Sequence, residues 1–221
     1  MPTLYYVPII HSDKDLAEVG TIIKDLRTKI YGREFAKHDE KQIEELWQNI
    51  RAWVLRTIKD ISGLIIYQDG MPAGPREKIR KLFDLVLSEH PESPMFRLTR
   101  ELLDKGAALE GTEDISLVLK RSNIYKEIYE CAAKCSDPIE AKNFIMRKVA
   151  EQDELILQAD QFIARRINET LPEDGRGVIF MGYRHEVDLE LVKMRETNLL
   201  RYPIEIIKLR LRLEKKPTDK P

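Results

Sequence analysis

Four short runs of apolar residues stand out along the chain, and each is followed by polar or turn-forming residues. They cover residues 3–10, 64–67, 107–109 and 178–181. Because these runs are nearly continuous in apolar character rather than alternating, they predict strands that are covered on both faces, as in a parallel sheet. The long segments between them match the crossovers that parallel strands require.

Apolar residues at helical spacing fill the longest of these intervening segments. One stripe runs through residues 39–58 and a second through residues 137–171, and a shorter helix is predicted over residues 187–195. Ser93-Pro94 and Asp137-Pro138 each place a capping side chain before a proline, which predicts helix starts. The pattern predicts an α/β fold with a central, mostly parallel sheet of four or more strands covered by many helices.

The end of the chain has a different pattern. Residues 207–213 alternate strictly between apolar and basic side chains, which predicts an edge strand whose lysines and arginines protect the open edge. No repeat or low-complexity linker interrupts the rest of the chain. The sequence therefore predicts one α/β domain over residues 1–214, followed by a polar C-terminal tail over residues 215–221.

Composition narrows the class of protein further. The 221 residues carry 37 basic and 38 acidic side chains, so the formal charge of -1 argues against nucleic-acid and anionic-membrane partners. The sequence has neither an apolar stretch of ~18 residues nor the pattern of a secretory signal. Cys131 and Cys135, four residues apart in a helical pattern, suit neither a disulfide nor a zinc site. We therefore expect reduced thiols and a cytoplasmic location.

Titratable side chains follow each of the four apolar runs. His11 comes after the first, Asp69 after the second and Glu113 after the third, and Arg184 and His185 come after the fourth. In open parallel sheets, ligands bind beyond the carboxyl ends of the strands, where the following loops carry polar groups. We therefore expect these five side chains to converge on one cleft.

Two chemistries suit such a cluster. His11, His185, Asp69 and Glu113 can hold a divalent metal ion through neutral imidazole nitrogens and carboxylate oxygens. Alternatively, one histidine acts as a general base on water while a carboxylate orients its other ring nitrogen. In both cases Arg184 is expected to stabilise an anionic intermediate.

Most of these residues also have a purely structural explanation. His11 and His185 can be strand-end residues that bond to neighbouring loops, and Asp69 can be the turn-forming residue before a glycine. Asp114 can cap the helix that follows, whereas Glu113 is less easily explained in this way. The sequence contains no glycine-rich nucleotide-binding motif and no Gly-x-Ser-x-Gly motif for a nucleophilic serine.

Several of these segments resemble a known group of proteins. After the fourth apolar run stands Gly182-Tyr183-Arg184-His185, which matches the Gly-x-x-His at the end of a late strand in the TraB/TIKI group. The other Gly-x-x-His of that group follows its first strand, where this chain has Pro8-Ile9-Ile10-His11, with proline for glycine. Asp69 fits the acidic position after the second strand, where glutamate is usual. Residues 106–121 look like the group's Gly-Ala…Asp-Arg-Asp-Ile…Leu-x-Arg segment, with Glu113 in place of an arginine.

The resemblance implies an α/β fold with paired histidines and acidic groups in a cleft. The group belongs to a wider set with erythromycin-esterase-like and ChaN-like proteins, whose members include metal-dependent peptidases, esterases and haem-binding proteins. The first hypothesis is a metal-dependent or His-based hydrolase-like protein acting on a small molecule or peptide. The second is a non-catalytic ligand-binding or self-associating protein on the same fold, with the helix at residues 137–171 available for a homodimer.

Overall fold

Five strands form one parallel sheet at the centre of the molecule. The computed structural model describes residues 1–15, 24, 28, 32–135 and 137–210. The strands lie in the order β3-β2-β4-β1-β5, and each neighbouring pair is parallel. This arrangement confirms the predicted α/β fold. The strand bounds are Thr3–Ile9 for β1, Ile65–Pro72 for β2, Ala108–Glu113 for β3, Arg176–Gly182 for β4 and Glu205–Lys208 for β5.

Helices cover both faces of the sheet, so the described residues form three layers. On one face lie three helices, α1 (Arg33–Thr57), α2 (Arg76–Glu89) and α3 (Pro94–Asp104). On the other face lie α4 (Ile115–Lys134), α5 (Pro138–Thr170) and α6 (Val187–Glu196). A short 3-10 turn, Asp13–Asp15, follows β1. None of the described helices is both long and apolar enough to cross a membrane.

Successive strand residues point into two separate apolar cores. In β4, Val178 and Phe180 pack with α1–α3, whereas Ile179 and Met181 pack with α4–α6. All four of these side chains are fully buried. This double coverage is the physical reason for the nearly continuous apolar runs in the sequence, because a strand covered on both faces needs apolar side chains on both.

Strands β2 and β3 are longer than their apolar runs. The runs at residues 64–67 and 107–109 predict only their first halves, because the second halves are polar or contain glycine. The register between the two strands shifts between Gln68 and Pro72, and Gly70 has a φ of +82° at this bulge. A Cβ on Gly111 would lie 2.0 Å from the carbonyl oxygen of Pro72, so only glycine permits this close pairing. Glu113 is consequently the last residue of a strand and not part of a loop.

The helix starts and the edge strand follow the sequence patterns. The Ser93 side chain accepts a hydrogen bond from the Phe96 amide, and the Asp137 side chain accepts one from the Ile139 amide, as expected for capping residues. Strand β5 lies at the edge beside β1, although it begins two residues before the predicted 207–213 segment. Residues 211–213 and the predicted tail at 215–221 lie outside the described residues. Cys131 and Cys135 are free and half-buried.

The topology opens a crevice at the carboxyl ends of the central strands. Strands β1 and β4 are neighbours, and Ile9 pairs with Gly182 at their ends. The first described helix after β1 lies on one face of the sheet, whereas the helix after β4 lies on the other. Where the segments that follow adjacent parallel strands diverge in this way, side chains at the strand ends are left accessible to a ligand.

Candidate active site

Four of the predicted side chains meet at this crevice. Nε2 of His11, just beyond β1, lies 3.1 Å from Oδ2 of Asp69 in β2. The same carboxylate oxygen accepts a hydrogen bond from the Gly182 amide at 2.9 Å. Asp69, Glu113 and His185 each offer one ligand atom, and these three atoms lie within 4.8 Å of one another. The structure thus brings His11, His185, Asp69 and Glu113 together.

His185 is oriented from behind by an aspartate of helix α5. Nδ1 of His185 lies 2.5 Å from Oδ1 of Asp160, and Oδ2 of Asp160 accepts a hydrogen bond from the Glu186 amide at 2.7 Å. The Tyr6 hydroxyl donates to the His185 carbonyl oxygen at 2.9 Å. These three contacts fix both the ring and the backbone of His185.

Arg121 of helix α4 is the arginine that belongs to the cluster. Its Nη2 donates to Oε1 of Glu113 at 3.1 Å, and its Nη1 lies 3.2 Å from Nε2 of His185. A guanidinium can only donate hydrogen bonds, so a neutral His185 accepts at Nε2 and carries its proton on Nδ1, toward Asp160. Arg121 thereby links the glutamate of β3 to the histidine that follows β4.

Arg184 does not lie in the cluster, contrary to the expectation from the sequence. Its guanidinium contacts Asp153 and lies 3.5 Å from Oε1 of Gln152, both on helix α5. The turn after β4 explains this placement, because a hydrogen bond from the His185 amide to the Gly182 carbonyl folds the chain and buries His185. Arg184, one residue earlier, remains exposed beside α5.

Two buried polar atoms of the cluster have no partner within the part of the chain that the structure describes. They are Oε2 of Glu113 and Nδ1 of His11. Burying such atoms without a hydrogen bond costs free energy, so their presence at a strand-end crevice indicates a ligand or water contact. By contrast, Oδ2 of Asp69 and both carboxylate oxygens of Asp160 have the hydrogen-bond partners described above.

Electrostatics set the protonation of the two histidines. Burial alone lowers the pKa of His11, but its hydrogen bond to Asp69 and the charge of that carboxylate outweigh burial and raise the pKa above its usual value. Burial also lowers the pKa of His185, whereas its hydrogen bond to Asp160 and the charge of Asp69 raise it, and the net direction is again upward. Burial opposes ionisation of Asp69, yet the His11 hydrogen bond and nearby positive charges hold its pKa well below its usual range.

Glu113 is shifted in the opposite direction from Asp69. Burial, reinforced by the negative charge of Asp69, raises the pKa of Glu113 to about 7, although Arg121 and His185 oppose the change. Two carboxyl groups therefore stand side by side with separated pKa values: Asp69 is ionised at neutral pH, and Glu113 titrates near neutrality. Such a separation is typical of sites that move protons or bind cations.

The cluster has the donor set of a divalent cation site. Ligands on bonds of ~2.0–2.2 Å stand at most ~4.4 Å apart, so atoms within 4.8 Å need only a small inward movement. The Asp160–His185 pair reproduces the carboxylate–histidine arrangement that orients metal-binding imidazoles. An incoming cation would take the place of the Arg121 guanidinium beside His185 and Glu113.

Comparison of the chain with protein-family models, with curated proteins and with solved structures found no match. The chemistry of the site therefore follows from its own geometry: two histidine–aspartate pairs, a buried glutamate and one arginine at the carboxyl ends of parallel strands.

Proposed function

We propose that this protein is a hydrolase-like protein that holds a divalent metal ion with Asp69, Glu113 and His185. The single observation that supports the proposal most strongly is the convergence of one ligand atom from each residue within 4.8 Å. All three residues are buried, and Oε2 of Glu113 lacks a hydrogen-bond partner among the described residues. A bound ion would polarise a substrate carbonyl or phosphoryl oxygen and lower the pKa of water.

His11 is the residue that we assign to proton transfer. In its neutral form the ring donates from Nε2 to Asp69, which leaves Nδ1 as a proton acceptor without a partner among the described residues. The raised pKa of His11 makes it a stronger base than a free imidazole. Asp69 thus has two tasks: it orients His11 through one oxygen and contributes to the cation site.

A metal-free, His-based hydrolase is the second candidate, and Arg121 favours it. The Arg121 guanidinium already contacts Glu113 and His185, where it balances the negative charge that a metal ion would otherwise neutralise. In that case Arg121 would take the electrostatic role that the sequence assigned to Arg184. His11 would keep its role as the base.

The setting of this activity is part of the same proposal. We infer a small-molecule or peptide substrate, a cytoplasmic location, no nucleic-acid partner and a homodimer formed through α5. The balanced charge of the chain supports the lack of a nucleic-acid partner. A distant relationship to the TraB/TIKI, erythromycin-esterase-like and ChaN-like proteins is also proposed, on the motifs that end in His11 and His185.

Metal titration of the full chain tests the proposal. After treatment with EDTA and dialysis, calorimetry with Mn²⁺ and Zn²⁺ should give one saturable site per chain. Glu113→Gln removes a ligand charge and should abolish this site, whereas Asp160→Asn should weaken it about 10- to 100-fold by releasing His185. Glu77→Gln is the matched control, because Glu77 is exposed and pairs with Lys81 on the surface of α2. Wild-type binding no tighter than that of Glu113→Gln would contradict the metal site.

Hydrolysis assays separate the two candidates. p-Nitrophenyl acetate and bis(p-nitrophenyl) phosphate serve as probes of ester and phosphodiester cleavage. Turnover that is lost in EDTA and restored by the metal supports the first candidate. Turnover that persists in EDTA and is lost in His11→Asn supports the second. If the His11→Asn and Glu113→Gln variants keep both metal binding and turnover, both candidate functions are contradicted.

A further inference from the structure

A cavity lined by described residues lies beside the candidate active site and not within it. It has a volume of about 560 Å³ and lies between helices α1 and α3. Small-molecule sites usually occupy ~300–1,000 Å³, so the cavity is large enough for an organic ligand. The residues that line it include Ser12, which follows His11 directly, but none of the four clustered acid and histidine residues.

One wall of this cavity is apolar and rigid. Ile43 and Trp47 of α1 and Leu98 of α3 form it, and all three side chains are buried in the core. The Trp47 indole nitrogen donates to the Ile10 carbonyl oxygen at 3.1 Å, which fixes the ring. A fixed aromatic and aliphatic wall suits the apolar body of a ligand, because binding then orders few protein side chains.

Most charges around the cavity already have partners. Lys14 pairs with Glu44 at 3.1 Å, and Glu40 lies 3.6 Å from Lys24. The Arg51 guanidinium forms two hydrogen bonds with Glu101, at 2.8 and 3.0 Å. These pairs neutralise one another, so they contribute little net charge toward a ligand.

Two charges of opposite sign remain at the rim. Arg97 of α3 and Glu92, just before α3, both line the cavity and are exposed. Neither side chain has an ion-pair or hydrogen-bond partner within the described ranges. A ligand with only one charged group would satisfy one of them and meet repulsion from the other.

A third polar group is buried in the lining. Ser12 is only 8% exposed, and its hydroxyl oxygen has no hydrogen-bond partner in the described part of the chain. A buried hydroxyl without a partner costs free energy, which a ligand polar group or a water molecule would recover. This observation is independent of the charges at the rim.

We propose that this cavity binds a small amphipathic zwitterion, such as an α-amino acid with a large apolar side chain. The apolar body lies against Trp47, the anionic group pairs with Arg97 and the ammonium group pairs with Glu92. The proposal does not depend on the hydrolase function, because the cavity shares none of the proposed metal ligands. It does connect the two regions, since Ser12 and the Ile10 carbonyl flank His11.

Three probes with the same phenyl group test the charge requirement. L-Phenylalanine carries both charges, 3-phenylpropanoate only the negative one and 2-phenylethylamine only the positive one. Trp53→Phe leaves Trp47 as the sole tryptophan of a chain that has two, so quenching of its fluorescence reports binding in the cavity. We expect saturable binding that is tightest for L-phenylalanine, with calorimetry on the unmodified chain giving the same order.

Substitution of the two exposed rim residues tests which charged group of the ligand each of them binds. Arg97→Gln should weaken binding of L-phenylalanine and 3-phenylpropanoate about fivefold, and it should strengthen binding of 2-phenylethylamine because a repelling charge is removed. Glu92→Gln should weaken binding of L-phenylalanine and 2-phenylethylamine about fivefold and strengthen binding of 3-phenylpropanoate. Arg100→Gln, on the same helix but paired with Asp84 and Asp104, is the matched control and should have no effect. Absence of saturable binding, equal affinity for all three probes, or insensitivity to Arg97→Gln would overturn the proposal.

Discussion

At the residue scale, Gly182 controls how closely the imidazoles and the carboxylate approach one another. A Cβ at this position would lie 3.1 Å from Oδ2 of Asp69, 3.5 Å from Nε2 of His11 and 3.5 Å from Cδ2 of His185. The Gly182 amide also donates to Asp69, so the residue binds the carboxylate while leaving room around it. The glycine of the Gly-x-x-His motif that ends in His185 is therefore required because a larger side chain would crowd the cluster.

Gly182→Ala should consequently loosen the site. We expect the unfolding free energy to fall by about 1–3 kcal/mol, the usual cost of overpacking a buried position, and metal affinity to fall with it. Gly74→Ala is the matched control, since its Cβ would meet no heavy atom of the described residues within 4 Å beyond its immediate chain neighbours. Urea denaturation and metal calorimetry on both variants provide the comparison. Equal stability and affinity in the two variants would show that Gly182 has no such steric role.

The sequence predicts some residues of the site but misses others for a physical reason. His11, Asp69, Glu113 and His185 follow apolar runs, and parallel strands bring such residues to one edge. Arg121 and Asp160 come instead from helices, where position along the chain says little about which strand end is near. Their signal is a charged residue at a core position of an apolar stripe: Arg121 shares a helix face with Leu117 and Ile124, and Asp160 shares one with Ile156, Ile163 and Ile167.

At the element scale, hydrophobic periodicity predicts which helix residues support the sheet. Helix α5 buries Ala159, Ile163 and Ile167 against the sheet, and Asp160 lies on the same side of the helix. Leu157 of the same helix is 46% exposed. The apolar stripe can be predicted from the sequence because the spacing of residues along a helix face depends on local geometry alone. The lengths of β2 and β3 cannot be predicted in this way. A bulge at Gly70 and the close contact of Gly111 with the Pro72 backbone extend both strands through polar residues.

A pair of substitutions in α5 measures this difference between its faces. Ile163→Ala removes a fully buried side chain and should lower the unfolding free energy by about 2–5 kcal/mol through lost burial and a residual cavity. Leu157→Ala deletes a similar volume from an exposed position and should change it by less than about 1 kcal/mol. Thermal or urea denaturation measures both. A similar cost for the two variants would mean that the face assigned to the core is wrong.

At the scale of the whole molecule, the strand-end cluster makes stability depend on pH. Below about pH 7 the folded protein keeps a proton on Glu113 that the unfolded chain, with its usual pKa of 4.5, already begins to release. The two histidines act in the same direction, because their pKa values are higher in the folded protein than the usual 6.5. Their contribution to stability is complete below pH 6.5 and is lost as the pH rises through their pKa values in the folded protein. Asp69 acts in the opposite direction, because its pKa is lowered by folding, but its contribution to stability is lost only when the pH falls below about 3.8.

Stability should therefore decline from mildly acidic to alkaline pH, and Glu113 should account for much of the slope. A shift from 4.5 to about 7 corresponds to a loss on the order of 3 kcal/mol between those values. Asp69, Arg121 and His185 all face this carboxyl group, and Glu113→Gln removes its titration while keeping a neutral side chain of nearly the same shape. Urea denaturation in EDTA at pH 5, 6, 7 and 8 should show a flatter dependence for Glu113→Gln, while Glu77→Gln runs parallel to the wild type. If Glu113→Gln keeps the wild-type slope, the buried glutamate is not the group whose ionisation opposes folding.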